Sequence, residues 1–456
     1  MIRRFIQRVL GNSAKPQAGR PPAGGPLILP RAKHGIKREN IDSCALRTCE
    51  TLADNGFKAF VVGGAVRDLL LGKKPKDFDV ATDATPEEVR RLFRRSRIIG
   101  RRFRIVHVMC GRDTIEVTTF RAAGNLSGDE EDERPTDESG RILEDNIFGS
   151  QAEDAARRDF TVNALYYDPL REEIHDYFNG VADCKKKILR MIGDPATRYR
   201  EDPVRMLRAA RFAAKLEFHI DPATRKPVAE LAQLLDNVPR ARIFDEAVKL
   251  LMSGHALRGV HQLRAEGLHH GMLPLLDTIL DDEQGRRFIE AGLKNTDERI
   301  HADKPASPGF LFACLLWPQV QRRWQDIQTE GEKSIPALFL AMDEVLEAQR
   351  ELLAIPRKLD GMIKEIWALQ PRFEQRAGSR PFRLLEHPRF RAGYDFLLIR
   401  AESGDAAQEL GDWWTEFQDA DENTRKSMLV ADTGPKPRRK RRRKPKAAPA
   451  EEIPSA

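Results

Sequence analysis

The chain has 456 residues, too many for one small domain and enough to bury cores in two to four domains. It has no apolar run near the length of about 18 residues that a membrane-spanning helix needs, and its N-terminus lacks the apolar region of a secretory signal, so we predict a cytoplasmic protein. Its net charge of +7 comes from the ends, because residues 1–40 carry +8 and residues 436–456 carry +7, which leaves an acidic middle.

The opening segment, "MIRRFIQRVL", places apolar side chains at helical spacing opposite three arginines. Residues 2–10 fit a weak peripheral contact with an acidic membrane surface, and they equally fit a short helix that docks locally. The Pro/Gly-rich stretch "KPQAGRPPAGGPLILP" follows and is typical of a linker. We therefore predict a flexible basic segment over residues 1–40.

Helix and strand patterns alternate between residues 41 and 180. The helical pattern "IDSCALRTCETLADNG" ends at Gly56 and leads into the apolar strand "KAFVV". The alternation continues through "DFDVAT", "TPEEVRRLFRR", "FRIVHVMC", "DTIEVTTFR" and "DFTVNALYYD". One acidic run, residues 129–138, has seven acids against one arginine and indicates a solvated loop. Residues 41–180 are thus predicted to form an α+β head domain.

Strand patterns fade after residue 180, and long helical patterns such as "DPVRMLRAARFAAKL" and "IPALFLAMDEVLEAQRELLAIP" replace them. We predict a helical neck over residues 181–255 and a helical body over residues 256–430. The closing stretch from residue 431 to 456 is rich in charge and proline, which predicts a disordered basic tail.

The five cysteines show no spacing typical of a metal site. An odd count in so long a chain also argues against a disulfide framework. We therefore expect free thiols at all five positions, which are Cys44, Cys49, Cys110, Cys184 and Cys314.

Two carboxylates lie two residues apart in "KDFDVAT". On a strand, Asp77 and Asp79 share one face, and Phe78 points to the core. Two carboxylates this close need a cation between them to stay ionised, and an oxygen-only ligand set suits Mg²⁺ together with substrate phosphates. The motif by itself equally describes a strand end with two solvated acids.

The residues before these acids strengthen the metal interpretation. Gly63 and Gly64 lie between the predicted strand and the helix "AVRDLLLG", where backbone N–H groups can meet a phosphate. Arg67 and the lysines that follow can neutralise more of a triphosphate. The ordered set of two glycines, an arginine and two spaced aspartates predicts a nucleotide site.

A third carboxylate is expected, because two-metal phosphoryl transfer needs more acidic ligands than two. Glu116 in "TIEVTTF" shares a strand face with Thr118, whereas Asp159 in "RRDFTVNAL" lies between arginines and a strand-like run. Each acid could instead be a structural ion-pair partner. These residues alone leave the choice open.

A further motif, "REDPVRMLRAARFAAKL", offers a base-reading pair. Asp202 is predicted to cap a helix that Pro203 opens, and Asp202 and Arg205 then place an acceptor and a donor on one face. Adenine and cytosine both present an amino donor beside a ring-nitrogen acceptor. The pair therefore favours A and C over G and U without separating A from C.

Together, "GGAVRDLLLG", "KDFD", "RRDFTVNAL" and "EDPVRMLRAARFAA" resemble three ordered motifs of the tRNA nucleotidyltransferase/poly(A) polymerase family. The resemblance implies a polymerase β-like nucleotidyltransferase head, which serves as the catalytic domain, followed by mostly α-helical neck and body domains. It also implies metal ligands at Asp77 and Asp79, and further essential acids at Asp159 and Glu116. The residues it assigns to the nucleotide are Gly63, Gly64, Arg67, Arg157, Arg158, Asn163, Asp202, Arg205, Arg208 and Arg211.

The segment "IIGRRFRIVHVMCG" resembles the signature that marks the bacterial poly(A) polymerase branch of this family. We therefore predict a template-independent enzyme that adds AMP from ATP to RNA 3′ ends, for RNA processing and decay. The basic residues of the C-terminal tail can bind RNA phosphates without reading bases. The residues predicted to contact RNA are Arg101, Arg102, Arg438, Arg439, Lys440, Arg441, Arg442 and Arg443.

The expected cofactor is Mg²⁺, with Mn²⁺ as a substitute, and the expected partners are ATP and RNA 3′ ends. Further expected partners are RNA-decay or RNA-chaperone proteins, and the enzyme is expected to be a monomer. Two alternatives stay open. The chain could add CCA to tRNA by the same chemistry, or it could be an inactive RNA-binding protein that keeps the fold, although the intact acids argue against the second.

Overall fold

The structure, a computed structural model, describes residues 25–100, 104–111, 113–122, 147–272 and 282–431. The chain divides into two compact units, Met1–Lys364 and Glu365–Ala456. The first unit holds the sheet and most of the helices, and the second is helical within its described residues.

A mixed sheet is the centre of the head. In the described residues its eight strands have the order β1-β8-β7-β2-β3-β6-β5-β4, and the neighbours β3 and β6 are parallel while the other pairs are antiparallel. The strands are β1 (Leu27–Pro30), β2 (Ala59–Val62), β3 (Asp79–Thr82), β4 (Ser96–Ile99), β5 (Ile105–Cys110), β6 (Asp113–Thr119), β7 (Leu165–Asp168) and β8 (Glu173–Asp176).

Short helices connect and cover these strands. They are α1 (Arg31–His34), α2 (Ser43–Asp54), α3 (Gly64–Leu70), α4 (Pro86–Leu92), α5 (Gln151–Ala156) and α6 (Gly180–Lys186). The predicted helix before Gly56 is α2, and Asp42 caps it by accepting hydrogen bonds from the backbone N–H groups of Cys44 and Ala45. Gly56 adopts a φ of 84°, a left-handed conformation that favours glycine and ends the segment.

Alternation along the strands decides which face is buried. Val106 and Val108 on β5, and Ile115 and Val117 on β6, are each at most 3% exposed, and α2 and α4 pack against this part of the sheet. The intervening side chains point to the other face, where Phe60, Tyr166 and Phe120 belong to a second apolar cluster.

Helices dominate the rest of the first unit, together with one short parallel strand pair. The strands are β9 (Ile188–Leu189) and β10 (His219–Ile220). The helices are α7 (Pro195–Glu201), α8 (Val204–Leu216), α9 (Pro222–Arg225), α10 (Val228–Leu231), α11 (Arg240–Leu251), α12 (Ala256–Ala265), α13 (His269–Met272), α14 (Glu283–His301), α15 (Pro308–Thr329) and α16 (Ser334–Leu353). On α8, the side chains of Leu207, Ala210, Phe212 and Ala213 are all buried.

The second unit begins within α17 (Asp360–Phe373) and continues through α18 (Arg380–Leu385), α19 (Phe390–Glu402), α20 (Gln408–Asp419) and α21 (Glu422–Ser427). Its core is aromatic. Trp414 is fully buried, packs edge-on against Phe373, and donates its indole N–H to the Phe373 carbonyl at 2.8 Å. The predicted architecture, an α+β head followed by a mostly helical chain, is confirmed within the described residues.

The expectation of five free thiols is wrong for one pair. Cys44 on α2 and Cys110 at the end of β5 form a disulfide bond, because helix packing brings their Cα atoms to 6.0 Å across 66 residues of sequence. Cys49, Cys184 and Cys314 are buried free cysteines, as predicted. Sequence spacing carried no sign of the pair, since the contact is tertiary.

No helix among the described residues is both long enough and apolar enough to cross a membrane.

Candidate active site

A strand–glycine–glycine–helix connection forms one side of the site. Gly63 follows β2 with a φ of 76°, and α3 begins at Gly64, which agrees with the predicted turn. A Cβ atom on Gly63 would lie 3.2 Å from Nη1 of Arg158. Glycine is therefore needed at position 63 both for its backbone conformation and for the close approach of Arg158.

The Arg67 guanidinium lies beneath this turn. It is buried, donates from Nη1 to Oδ1 of Asn163 at 2.5 Å, and donates from Nε and Nη2 to the Asp68 carboxylate. A Cβ on Gly64 would lie 3.4 Å from Nη2 of Arg67. Arg67 and Asn163, two predicted nucleotide residues, thus meet each other and tie the turn to the segment after α5.

The predicted acids do not all lie on one strand. β3 begins at Asp79, so Asp77 precedes the ladder, and Phe78 is half-buried rather than a core residue. The expectation that the Asp77–Asp79 segment is a strand with Phe78 in the core is therefore wrong at this end, because pairing with β2 starts only at Asp79.

Glu116 is the acid that the sheet places beside Asp79. The two residues are register partners on the parallel strands β3 and β6, so their side chains share a face about 4.8 Å apart in strand spacing. Asp77, Asp79 and Glu116 are all exposed as residues. The sheet therefore brings one of the two candidate third acids to the aspartate pair.

The electrostatics of Asp79 reflect this crowding. Desolvation of its carboxyl group and the negative charge of Glu116 raise the pKa of Asp79 to about 6, although Arg158 opposes the shift and the residue is still exposed. Asp77 adds a smaller repulsion in the same direction. A cation bound among these acids would remove the repulsion.

The donor set fits a hard divalent cation that also binds substrate. Carboxylate oxygens are the ligands that Mg²⁺ prefers, and Mg²⁺ usually takes one or two protein carboxylates plus phosphates and water. Within the described parts of the chain, no cluster of three or more His, Cys, Asp or Glu side chains is arranged to hold a metal by itself. Substrate phosphates would have to complete the coordination.

Arg158 faces Asp79 and is fixed by two residues that the sequence analysis did not identify. Its Nε donates to Tyr166 Oη at 3.1 Å and its Nη2 to Asp154 Oδ2 at 3.3 Å, while Tyr166 Oη donates to the same Asp154 oxygen at 2.6 Å. Burial disfavours the charge, but Tyr166 and Asp154 outweigh it and raise the pKa of Arg158. The i,i+4 spacing of Asp154 and Arg158 could have predicted their ion pair from the sequence. No sequence pattern indicated the contact between Arg158 and Tyr166.

Asp159 lies in a different environment. It is buried, its Oδ2 accepts from Nε of Arg208 on α8 at 2.8 Å, and its Oδ1 accepts from the Phe160 N–H and from Nδ2 of Asn163. Burial opposes its charge, but Arg208 and these hydrogen bonds together lower the pKa of Asp159. Asp159 therefore links the head to α8.

The predicted base-reading pair has protein partners on both sides. The prediction that Pro203 opens the helix is wrong by one residue, because α8 begins at Val204 and Pro203 takes the N-cap position. Asp202 Oδ1 still accepts a hydrogen bond from the Val204 N–H at 3.3 Å. Its other oxygen accepts from Arg242 of α11 at 2.9 Å. Arg205 donates to Glu201 and to the Arg198 carbonyl, both at 2.8 Å. Neither Arg242 nor Glu201 was identified from the sequence as a partner of this pair. Arg242 reaches Asp202 only because α11 packs nearby, and Glu201 lies at the end of the preceding helix, α7.

Arg198 and Arg211 complete the cationic groups around α8. Arg198 donates from Nη2 to the carbonyl oxygens of Arg157 and Arg158 at 2.7 and 2.8 Å, so it supports the backbone of that predicted pair. Burial and the nearby Arg205 charge lower the pKa of Arg198 to about 10. Arg211 donates to Glu246 of α11 at 3.0 Å.

The predicted RNA contacts lie outside the described residues. They are Arg101, Arg102, Arg438, Arg439, Lys440, Arg441, Arg442 and Arg443.

Three family models match the chain in order. Residues 59–190 match the poly A polymerase head domain, residues 217–280 match a probable RNA- and SrmB-binding site of polymerase A, and residues 330–448 match the polymerase A arginine-rich C-terminus. The first match contains the glycine turn, the strand acids and Asp159.

The full-length similarity is to poly(A) polymerases. Poly(A) polymerase I of Salmonella typhimurium is 46% identical over 93% of this chain and 93% of its own length. A CCA-adding enzyme of Lactobacillus helveticus is 41% identical, but over 46% of this chain and 50% of its own length.

Among solved structures, the Bacillus stearothermophilus CCA-adding enzyme in complex with CTP is similar with a TM-score of 0.56 and 26% identity, over 82% of this chain and 80% of that one. Its likeness agrees with the nucleotidyltransferase fold. The near-complete match to poly(A) polymerase I and the three ordered domain matches decide the family: this chain belongs to the poly(A) polymerase family of nucleotidyltransferases.

Proposed function

We propose that the protein is an RNA 3′-adenylyltransferase that transfers AMP from ATP to RNA without a template. The observation that carries the proposal is the register pairing of Asp79 with Glu116, with Asp77 two residues earlier in the chain, next to the Gly63–Gly64 turn. In the reaction, the 3′-hydroxyl of the RNA attacks the α-phosphate of ATP, and pyrophosphate leaves.

Asp77, Asp79 and Glu116 would hold Mg²⁺, or Mn²⁺ in its place. When bound, the metal ions would lower the pKa of the attacking hydroxyl and stabilise the charge that develops on the leaving pyrophosphate. The raised pKa of Asp79 supports this assignment, because repulsion among uncompensated carboxylates is what a bound cation relieves.

Several groups of the chain are suited to bind the triphosphate. The Gly63–Gly64 backbone offers N–H groups without side-chain obstruction, and Nη1 of the half-buried Arg158 lies 3.2 Å from where a Gly63 Cβ would be. Its hydrogen bonds to Tyr166 and Asp154 hold the guanidinium in one orientation before substrate arrives. Arg67 is proposed to support the glycine turn rather than to contact the triphosphate directly, because its side chain is buried and hydrogen-bonded to Asn163.

Asp202 and Arg205 are proposed to read the base. For this role they must exchange or share their present contacts with Arg242 and Glu201. Asp159 is proposed to position this element, since its ion pair with Arg208 joins the head to α8. Glu116 is then the third acid of the reaction.

Nucleotide incorporation tests the function. Each of the four labelled nucleotides is supplied with Mg²⁺ to an oligoadenylate and to a tRNA lacking its CCA end. Long adenosine tails on the oligoadenylate with little C addition are expected. Addition confined to tRNA that stops after two C and one A would show a CCA-adding enzyme instead, and no incorporation on either RNA would favour an inactive RNA-binding protein.

The cellular setting is part of the same proposal. We place the enzyme in the cytoplasm as a monomer that acts in RNA processing and decay, with RNA-decay or RNA-chaperone proteins as partners. Membrane contact through residues 2–10 is tested by sedimentation with anionic vesicles before and after deletion of that segment. Equal sedimentation of the two proteins would exclude it.

A further inference from the structure

Among the described residues, the outer part of the head sheet has a face with exposed side chains beside the acids. Side chains on β4, β5 and β6 alternate, and the buried set that includes Val106 and Val117 faces the packed helices. The residues between them point the other way. Arg97 is exposed, and the side chains of His107 and Glu116 are 31% and 51% exposed.

Strand register lines these residues up with Asp79. Arg97 is opposite His107, His107 is opposite Glu116, and Glu116 is opposite Asp79. Because neighbouring strands are about 4.8 Å apart, this row spans roughly 14 Å from the β4 edge to the catalytic aspartate. His107 Nε2 lies 3.4 Å from Glu116 Oε1.

The line along which the attacking and leaving oxygens are arranged indicates which substrate this face would bind. The Gly63–Gly64 turn follows β2, which borders β3 on one side, whereas β6, β5 and β4 lie on the other side. Attacking and leaving oxygens are roughly in line in phosphoryl transfer. If pyrophosphate leaves on the β2 side, the attacking hydroxyl must arrive from the β6 side.

We propose that the growing RNA 3′ end lies across this surface, which we call the primer face and define by Arg97, Ile99, His107, Met109 and Glu116. Arg97 contacts a backbone phosphate of the RNA, and His107 positions the terminal ribose next to Glu116. This inference rests on the proposed function and adds to it the place of the second substrate.

The primer face combines a positive charge, which can bind an RNA phosphate, with apolar side chains, which can contact the base of a single strand. Within the described part of the chain Arg97 has no acidic partner, whereas Arg104 pairs with Glu87 and Arg91 lies 4.0 Å from Glu88. Ile99 is 45% exposed and Met109 is half-buried on the same face. A free cation flanked by apolar side chains suits a phosphate with its attached base.

Steady-state kinetics with Arg97→Gln test the phosphate contact. The KM for an oligoadenylate at saturating ATP is expected to rise about fivefold, and the KM for ATP at saturating oligoadenylate is expected to stay unchanged. The slope of log KM against log salt concentration should fall by about 0.7, the value for one phosphate contact to a single strand.

Arg91→Gln is the matched control, because it removes another exposed arginine charge, from α4, which packs on the opposite face of the sheet. It should leave both KM values and the salt slope unchanged. Equal KM values for oligoadenylate in the two variants would overturn the primer face. The proposed function would still stand if the wild-type protein adds adenosine tails. Absence of AMP transfer by the wild-type protein would instead refute the proposed function.

Photocrosslinking gives a readout that does not need turnover. An oligoadenylate with 8-azidoadenosine at its 3′ terminus is bound to the full chain without ATP, irradiated, and the adduct is mapped by mass spectrometry. Adducts within residues 96–116 are expected, and they should decrease in His107→Asn. Adducts found solely in helical segments beyond residue 180 would contradict the proposed path.

Discussion

Two acidic regions of the head, both suggested by the motifs, differ in what surrounds their carboxylates. Asp79 and Glu116 are exposed register partners, and their mutual repulsion adds to desolvation in raising the pKa of Asp79. Asp159 is buried against Arg208, and its pKa is lowered. The comparison teaches that an acid crowded by acids is available to a cation, whereas an acid saturated by protein donors is a structural link.

Replacing Asp79 should have the largest effect on activity. Asp79→Asn removes a charge that acts on the reacting phosphates, so AMP transfer to oligoadenylate should fall by about 1,000-fold or more. Single-turnover assays with labelled ATP measure this. Asp113→Asn, which changes an exposed acid at the start of β6, should retain wild-type rates. Near-normal activity in Asp79→Asn would contradict the catalytic role assigned to Asp79.

Glu116→Gln and Asp159→Asn should separate the two regions. Glu116→Gln is expected to lower kcat by about 100-fold with no loss in the free energy of unfolding, because it removes a charge that repels Asp79. Asp159→Asn is expected to lower the free energy of unfolding by about 2 kcal/mol, below the full cost of breaking a buried pair because Arg208 is about one-third exposed. Urea titrations and kcat measurements are made on both variants.

The opposite pattern, a stability loss in Glu116→Gln and a pure rate loss in Asp159→Asn, would reverse the roles we assign. Equal losses of both kinds in both variants would remove the distinction between the regions.

Tyr166→Phe should weaken the site more modestly. The change leaves Arg158 in place but removes the hydroxyl that bridges it to Asp154, so the KM for ATP should rise about tenfold with little change in the KM for RNA. Tyr177→Phe is the matched control, because its hydroxyl instead donates to Gln151 in the same aromatic cluster. A tenfold rise in both variants would mean that the cluster, not Arg158, sets the effect.

The pH dependence of stability should show the smallest effect. The pKa of Asp79 is about 6 in the folded chain and near 4 when unfolded, so folded protein binds the extra proton between these values. The contribution of Asp79 to the free energy of unfolding therefore falls as pH rises from 4 to 7. In EDTA, Asp79→Asn should be no more stable than wild type at pH 4 and about 1 kcal/mol more stable at pH 7.5, allowing for solvent screening.

Added Mg²⁺ should reduce this difference at pH 7.5, because a cation relieves the same repulsion. Asp159→Asn should show the reverse trend, with its stability deficit present at pH 7.5 and shrinking in acid, since the folded pKa of Asp159 is depressed. If the difference in free energy of unfolding between Asp79→Asn and wild type does not change with pH, the raised pKa of Asp79 is contradicted.

Local patterns predicted much of the head. The helix that ends at Gly56 and the strand before Gly63 depend on neighbouring residues, and both were predicted, whereas the cap at Asp42 was not. The start of β3 was misjudged by two residues, since strand ends depend on where a partner strand begins to pair. The Cys44–Cys110 bond was also missed, because it joins a helix and a strand 66 residues apart.

By itself, the sequence determined the kinds of element, the glycine turn, the identity of the acids and the basic ends, because each follows from side-chain chemistry or from contacts a few residues apart. Only the tertiary structure decided which acid stands beside Asp79 and that Arg242 reaches Asp202. The physical reason is that strand register and helix packing join residues 37 to 40 positions apart, and no local pattern encodes that pairing.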